Sequence, residues 1–160
     1  MALGIENTGI KGEINIYRLY QNGHREHRQT VKNVVINNGL QRILDNLVAS
    51  GAVVDRFSYG HSGTDLTGSV VAKSAASSGL SAEDATKAID GYLRISNTLY
   101  VTCTIAAAEG NTVGSINEFG IYYSGTNSVN RFVAMQSFNT ELKDASFAIQ
   151  FEHALTVANV

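Results

Sequence analysis

The chain contains no proline, no tryptophan and a single cysteine, Cys103. Without proline, its turns must be made by glycine and asparagine. One cysteine cannot close a disulfide within the chain, which favours folding in a reducing compartment. Cys103 lies in an apolar run and is predicted to be a small, buried core residue.

Charged residues are also scarce, at 16% of the 160 residues, against about 25% in typical soluble domains. The net charge of -2 offers no basic face, which argues against a nucleic-acid partner. No apolar run reaches the roughly 18 residues that a membrane span needs, so no membrane contact is expected. The first residues lack the pattern of a signal peptide. The length predicts one domain.

The first half opens with a predicted β-hairpin. Ile14 and Ile16 alternate with polar residues, which predicts a half-buried strand over about residues 10–20. Asn22-Gly23 follows, and this dipeptide is a strong hairpin signal. The return strand, 25–31, carries many charges and is predicted to be exposed or at a sheet edge.

One amphipathic α-helix is predicted after this hairpin. Its apolar residues recur at helical spacing on one face. They are Leu40, Ile43, Leu44, Leu47 and Val48. Asn37 or Asn38 is the candidate N-cap, and Gly51 is the candidate stop.

Residues 62–88 are mostly Ser, Thr, Ala and Gly, and the stretch is longer than an ordinary loop. Ser81 is predicted to cap a short helix over 82–89. The rest is predicted to be an arm that becomes ordered against a neighbouring subunit.

The N-terminal residues 1–9 are predicted to be a flexible or partner-docked tail, with Leu3 and Ile5 as interface candidates. Residues 10–160 then form a single domain. We expect the tail and the arm to make contacts between subunits, because neither has enough large apolar residues to pack alone.

The second half reads as consecutive strands. Residues 92–107 are predicted to be one long strand, or two strands with a bend near Ser96-Asn97. Further strands are predicted at 113–123, 129–139 and 145–158. Short strands at regular spacing, separated by glycine and asparagine turns, predict an antiparallel β-sandwich or barrel.

Glu118 is the carboxylate that demands explanation, because it lies within the apolar strand at 113–123 and an unpartnered buried carboxylate is costly. We predict that it accepts backbone hydrogen bonds or pairs with an arginine such as Arg131. This architectural role is favoured over a catalytic one.

The sequence offers little catalytic chemistry. Gly60-His61-Ser62-Gly63 departs from the nucleophile-elbow pattern G-x-S-x-G, because its second glycine comes one residue too early. His24 and His27 are three apart in a strand, so they face opposite sides and are unsuited to share a metal. His153 is predicted at the surface or at an interface. Seven tyrosines could form a carbohydrate platform, although strands favour tyrosine in any case. We therefore expect no catalytic site, cofactor or metal.

The order of these pieces resembles one group of proteins. The hairpin is followed by Lys32-Asn33-Val34-Val35-Ile36-Asn37-Asn38-Gly39-Leu40, then by a strand ending in Tyr59-Gly60-His61-Ser62-Gly63-Thr64. Ile116-Asn117-Glu118-Phe119-Gly120-Ile121 and Asn130-Arg131-Phe132-Val133-Ala134 come later. Over about residues 10–158 the chain resembles the small β-sandwich structural proteins of tailed bacteriophages. It departs from their pattern in the looser glycine spacing at 59–63.

The resemblance implies a jelly-roll-like sandwich that forms a homo-oligomer, often a trimer, and has no enzymatic activity. It implies assembly in the host cytoplasm and residence in the virion. Such proteins occur as capsid decoration (cement) proteins and as modules of tail fibres, collars and baseplates. The chain ends just after one such domain, which favours decoration of the major capsid protein over a tail adaptor. A carbohydrate-binding sandwich module is the alternative from another class.

Overall fold

The computed structural model describes residues 10–35, 54–74, 76–123 and 132–157. These ranges form nine β-strands and contain no helix long and apolar enough to span a membrane. The strands are β1 (Ile10–Tyr20), β2 (Arg25–Val35), β3 (Arg56–Gly60), β4 (Glu83–Ala88), β5 (Gly91–Ile95), β6 (Thr98–Ile105), β7 (Ser115–Tyr122), β8 (Phe132–Leu142) and β9 (Phe147–Val157). The amphipathic helix predicted over 40–48 lies outside the described residues.

The strands form two antiparallel sheets, as expected for a sandwich-like fold. Their hydrogen-bonded order is β4-β3-β7-β8-β2-β1-β9-β6-β5. Sheet A contains β2, β1, β9, β6 and β5, and sheet B contains β4, β3, β7 and β8. The end of β2 connects the two, because Val34 and Val35 pair with Met135 and Ala134 of β8.

The pairing with β8 lies beyond the predicted return strand, 25–31, whose side chains are mostly exposed as predicted. Before Val34 the backbones of β2 and β8 diverge. The Gln29 amide donates to the Asn139 carbonyl at 2.8 Å, and the Gln136 amide donates to the Lys32 carbonyl at 2.7 Å. Side-chain amides thus replace the missing ladder bonds between the two strands.

The main core fills the space between the sheets. Sheet A contributes Ile14, Ile16, Val101, Cys103, Ile149 and Phe151, and sheet B contributes Phe57, Ile116, Phe119, Ile121 and Phe138. The rings of Phe119 and Phe151 stack across the two sheets with centroids 4.4 Å apart. Cys103 is fully buried, as predicted, and burial raises the pKa of its thiol.

The prediction of a short helix over 82–89 is wrong. This segment contains β4, which pairs with β3 along its length. Ala85 packs against the core, and the Thr86 and Ser58 hydroxyls are 2.9 Å apart across the pair. These tertiary contacts override the weak local preference for helix.

The outer face of sheet B is covered as well. Leu80 packs there against a small cluster formed by Tyr122, Phe132 and Met135. Gly120 leaves room for the Phe132 ring in this layer, because a Cβ atom at this position would lie 2.6 Å from the ring. Part of the arm is therefore a third layer on its own chain, and β7 is buried on both faces.

Candidate functional site

Glu118 holds the arm against sheet B. Its side chain is fully buried and points from β7 towards the arm. Its Oε2 atom accepts a hydrogen bond from the Ser81 N–H at 2.6 Å and lies 2.7 Å from Nζ of Lys73. Its Oε1 atom accepts from the N–H groups of Ser62 and Ala82, at 3.1 and 3.2 Å. One carboxylate thus ties both ends of segment 62–82 to the sheet.

The charge state of Glu118 follows from these contacts. Burial alone raises the pKa of a carboxyl, but the Lys73 ammonium and the N–H groups of Ser81 and Ala82 outweigh this effect. The pKa of Glu118 is therefore below its usual value, and the group is an anion at neutral pH. Lys73 also donates to the Gly79 carbonyl and the Ser81 hydroxyl, so the pair is a satisfied structural ion pair.

This is the architectural role predicted for Glu118, with a lysine in place of an arginine. Arg131, Leu3 and Ile5, the other predicted structural or interface residues, lie outside the described residues. The role of Lys73 was not predicted from the sequence. Lys73 is the only charged residue between Asp65 and Glu83, and that isolation in a small-residue arm is the signal that could have identified it.

The arm also carries a rigid, exposed tip, which we define as residues 64–71. A β-bridge between Thr64 and Val70 closes it. The Asp65 carboxylate accepts from the N–H groups of Thr67 and Ser69 at 2.8 and 2.9 Å, and Gly68 turns the chain with φ +81°. The hydrogen bonds from Thr67 and Ser69 lower the pKa of Asp65.

Three of the side chains that this tip exposes are apolar. Leu66 is fully exposed, and Val70 and Val71 are also exposed. Exposed apolar groups on a pre-organised loop can bind another surface without first losing backbone entropy. The tip is therefore a candidate contact surface.

A second candidate surface is a groove of about 800 Å³ on the outer face of sheet A. It crosses β2, β1, β9 and β6. Its lining includes Glu13, Asn15, Lys32, Thr98, Tyr100 and Thr156. Hydroxyl, amide and charged groups beside an aromatic ring can bind a polar ligand that also has an apolar face.

The structure also locates the histidines. His61 Nδ1 lies 2.6 Å from Asp84 Oδ1. The neighbouring Ser62 is not in a nucleophile elbow, because β3 leads at Gly60 into a loop and a nucleophile elbow needs a helix there. His153 is fully buried beside Phe119 inside the chain, so the prediction that it lies at the surface or at an interface is wrong. Burial lowers the pKa of His153 to about 3. In the described ranges, no three His, Cys, Asp or Glu residues are grouped to hold a metal ion.

Comparison with known proteins gives no relative: no family model, no curated protein and no solved structure matches this chain.

Proposed function

We propose that this chain is a structural protein of a tailed-bacteriophage virion. In this proposal it is a jelly-roll-like capsid decoration protein that assembles in the host cytoplasm and acts as a homo-oligomer, with the trimer implied by the resemblance as the first expectation. It would reinforce the head by bridging neighbouring subunits of the major capsid protein, through burial of surface and without chemistry.

The observation that carries the proposal is the anchored arm with its apolar tip. An isolated exposed leucine needs no explanation. Leu66, however, sits on a loop held by the Asp65 carboxylate, and the base of that loop is fixed by the buried Glu118–Lys73 pair. A rigid apolar projection from a sandwich is suited to fill a depression on a neighbouring protein. The low charge of the chain also suits lasting contact between proteins.

The test is binding to undecorated capsids, measured by co-sedimentation over a range of protein concentrations. We expect Leu66→Ser to weaken binding at least about tenfold, since truncating a central anchor costs about 2 kcal/mol. Leu142→Ser is the matched control, because Leu142 is an exposed leucine on β8, outside the tip. Equal binding by the two variants would remove the tip from the proposal.

Failure of the unmodified protein to bind capsids would contradict a decoration role. Binding to purified tails in the same experiment would instead support the adaptor function in a baseplate, collar or fibre attachment.

The groove on sheet A favours a second candidate function, carbohydrate binding. The Tyr100 ring offers an apolar surface for a sugar ring, and Asn15, Glu13 and Lys32 offer hydrogen-bond partners for its hydroxyls. Titration of saccharides by NMR should then shift resonances around the groove. Tyr100→Ala should abolish the shifts. Tyr123→Ala should not, because Tyr123 directly follows β7 and is not among the lining residues of the groove. Absence of shifts across a broad saccharide panel would exclude this function.

A further inference from the structure

The two ends of the strand row differ in how they are protected. β4 ends the row in sheet B and carries Glu83, Asp84 and Lys87, with a bulge in its pairing to β3 near Gly60. Charges and bulges are the usual protection of an edge strand against another chain. β5 ends the row in sheet A. It carries one charge, Arg94, and its pairing to β6 is regular.

β5 also exposes large apolar side chains. Leu93 is 58% exposed and Ile95 is 56% exposed, and Tyr92 is exposed beside them. Among the described residues no strand pairs with the second edge of β5. An edge with unprotected backbone groups and apolar side chains is a template for another strand.

The backbone alternation of β5 sets how a partner strand could pair. Ser96-Asn97 is a two-residue hairpin loop closed by Ile95 and Thr98. The closing pair of such a hairpin exchanges hydrogen bonds, so Ile95 and Leu93 direct their backbone groups towards β6. Tyr92 and Arg94 then direct theirs towards the outer edge of β5, where the described residues place no partner strand.

We propose that the partner is β5 of a second copy of this chain, paired antiparallel about a two-fold axis at Leu93. In this register Tyr92 lies opposite Arg94 of the other copy, and the reverse pair forms by symmetry. Tyr92 and Arg94 are the two residues whose backbone groups face outwards, so both pairs can exchange backbone hydrogen bonds. The two Leu93 residues meet as the central, non-hydrogen-bonded pair.

The side chains match the same register. Tyr92 and Arg94 are on one face of the strand, and a guanidinium opposite a tyrosine ring forms a cation–π contact. The Tyr92 ring is held in place because its hydroxyl donates to the Val54 carbonyl. The two apolar Leu93 side chains meet on the opposite face. Neither Arg94 is directly opposite the other, so the pairing avoids a direct like-charge contact.

This contact joins chains in pairs whatever other contacts an oligomer uses, and it does not depend on a virion location. A five-residue strand pair buries a small area, so we expect it to form in the free chain at high protein concentration.

Disulfide trapping tests the register directly. Cys103 is fully buried, so an added surface cysteine acts alone. Leu93→Cys places two thiols opposite each other at the two-fold axis, within the Cα separation that a disulfide needs. Ile95→Cys is the control, since it has the same exposure and lies on the same face but is opposite Gly91 of the other copy. Leu93→Cys should form a disulfide-linked dimer about tenfold faster or more under mild oxidation.

The same comparison can overturn the proposal. Equal rates for the two variants would mean random collision, and no dimer from Leu93→Cys would exclude the pairing. As a second measurement, sedimentation of the unmodified chain should show even-numbered assemblies, either a dimer or two trimers joined by this contact. Leu93→Lys should halve their mass, whereas Leu142→Lys should leave it unchanged. An unmodified chain that stays monomeric at every concentration, or forms only odd-numbered assemblies, would also overturn it.

Discussion

The most consequential single residue is Glu118, because its buried carboxylate has four partners and three of them are backbone N–H groups. In an interior of low polarity, neither this anion nor Lys73 is stable without the other. The pair therefore adds less to net stability than to specificity: it fixes where segment 62–82 lies on sheet B.

Replacement of this carboxylate should be costly. Glu118→Gln should lower the free energy of unfolding by about 3–5 kcal/mol, because it leaves the buried Lys73 ammonium without its anion. Urea denaturation measures the loss, and limited proteolysis should show faster cleavage within 62–82. Lys73→Met combined with Glu118→Gln should restore part of the stability, since both charges are then removed. An unchanged unfolding curve for Glu118→Gln would contradict the ion-pair assignment.

His153 makes stability depend on pH. Burial lowers its folded-state pKa to about 3, whereas the pKa of histidine in an unfolded chain is about 6.5. Between these values the unfolded chain binds a proton that the folded chain does not. The free energy of unfolding should therefore decrease as the pH falls below about 6.5, by up to about 1.4 kcal/mol per pH unit, until about pH 3.

The measurement is urea unfolding between about pH 7 and about pH 5, a range above the usual pKa of a glutamate. His153→Gln should reduce this pH dependence, because glutamine does not titrate. His24→Gln is the control, since His24 is exposed in the β1–β2 turn, and it should keep the slope. A flat profile for the unmodified chain would contradict the buried neutral histidine.

The role of a single residue could be predicted from the sequence where burying its polar group without a partner would be energetically costly. A carboxylate within an apolar strand needs hydrogen-bond partners, so the structural role of Glu118 could be predicted. Its partners precede it in the sequence by 36 to 56 positions, and their identity could not be predicted. His153 shows the opposite case. The alternation of Phe147, Ile149 and Phe151 continues to position 153, so the burial of His153 could have been predicted. The prediction gave more weight to the residue type than to the periodicity.

At the scale of elements, Gly120 connects β7 to the layer outside sheet B. A Cβ atom there would meet the Phe132 ring at 2.6 Å, and Phe132 is itself packed against Tyr122. Gly120→Ala should therefore destabilise the fold by about 1–3 kcal/mol through overpacking. Gly79→Ala is the control, because its nearest neighbour would be 3.9 Å away, and thermal unfolding compares the two. Equal melting temperatures would mean that this layer is loosely packed.

Elements with a clear period could be predicted from the sequence, and elements defined by their neighbours could not. The alternation of Ile14 and Ile16 and the Asn22-Gly23 turn gave β1 and its hairpin correctly. β4 has no such pattern, and its acidic start looks like the first turn of a helix. Its strand conformation comes from pairing with β3, which local sequence does not encode.

At the scale of the molecule, the last strand completes sheet A. β9 pairs with β1 along Ile10–Tyr20 and with β6 on its other side, and it supplies Phe147, Ile149 and Phe151 to the core. A chain that ends at Ser146 should therefore lack cooperative unfolding and dispersed amide resonances. A peptide of residues 147–157 should restore both when added. Cooperative folding of the truncated chain would contradict this role, and a chain that ends at Val157 is the control.

The central position of β9 also decides when folding can finish in a cell. Synthesis runs from the N-terminus, so β1 and β6 leave the ribosome long before the strand that belongs between them. Until then β1 and β6 each lack the strand that pairs with them, and their core residues Ile14, Ile16 and Val101 are not covered by β9. Nascent chains on the same messenger RNA are therefore close together while they are most prone to aggregate. The time needed to synthesise the segment between β6 and β9 should therefore influence how much of the protein aggregates when it is made in bulk.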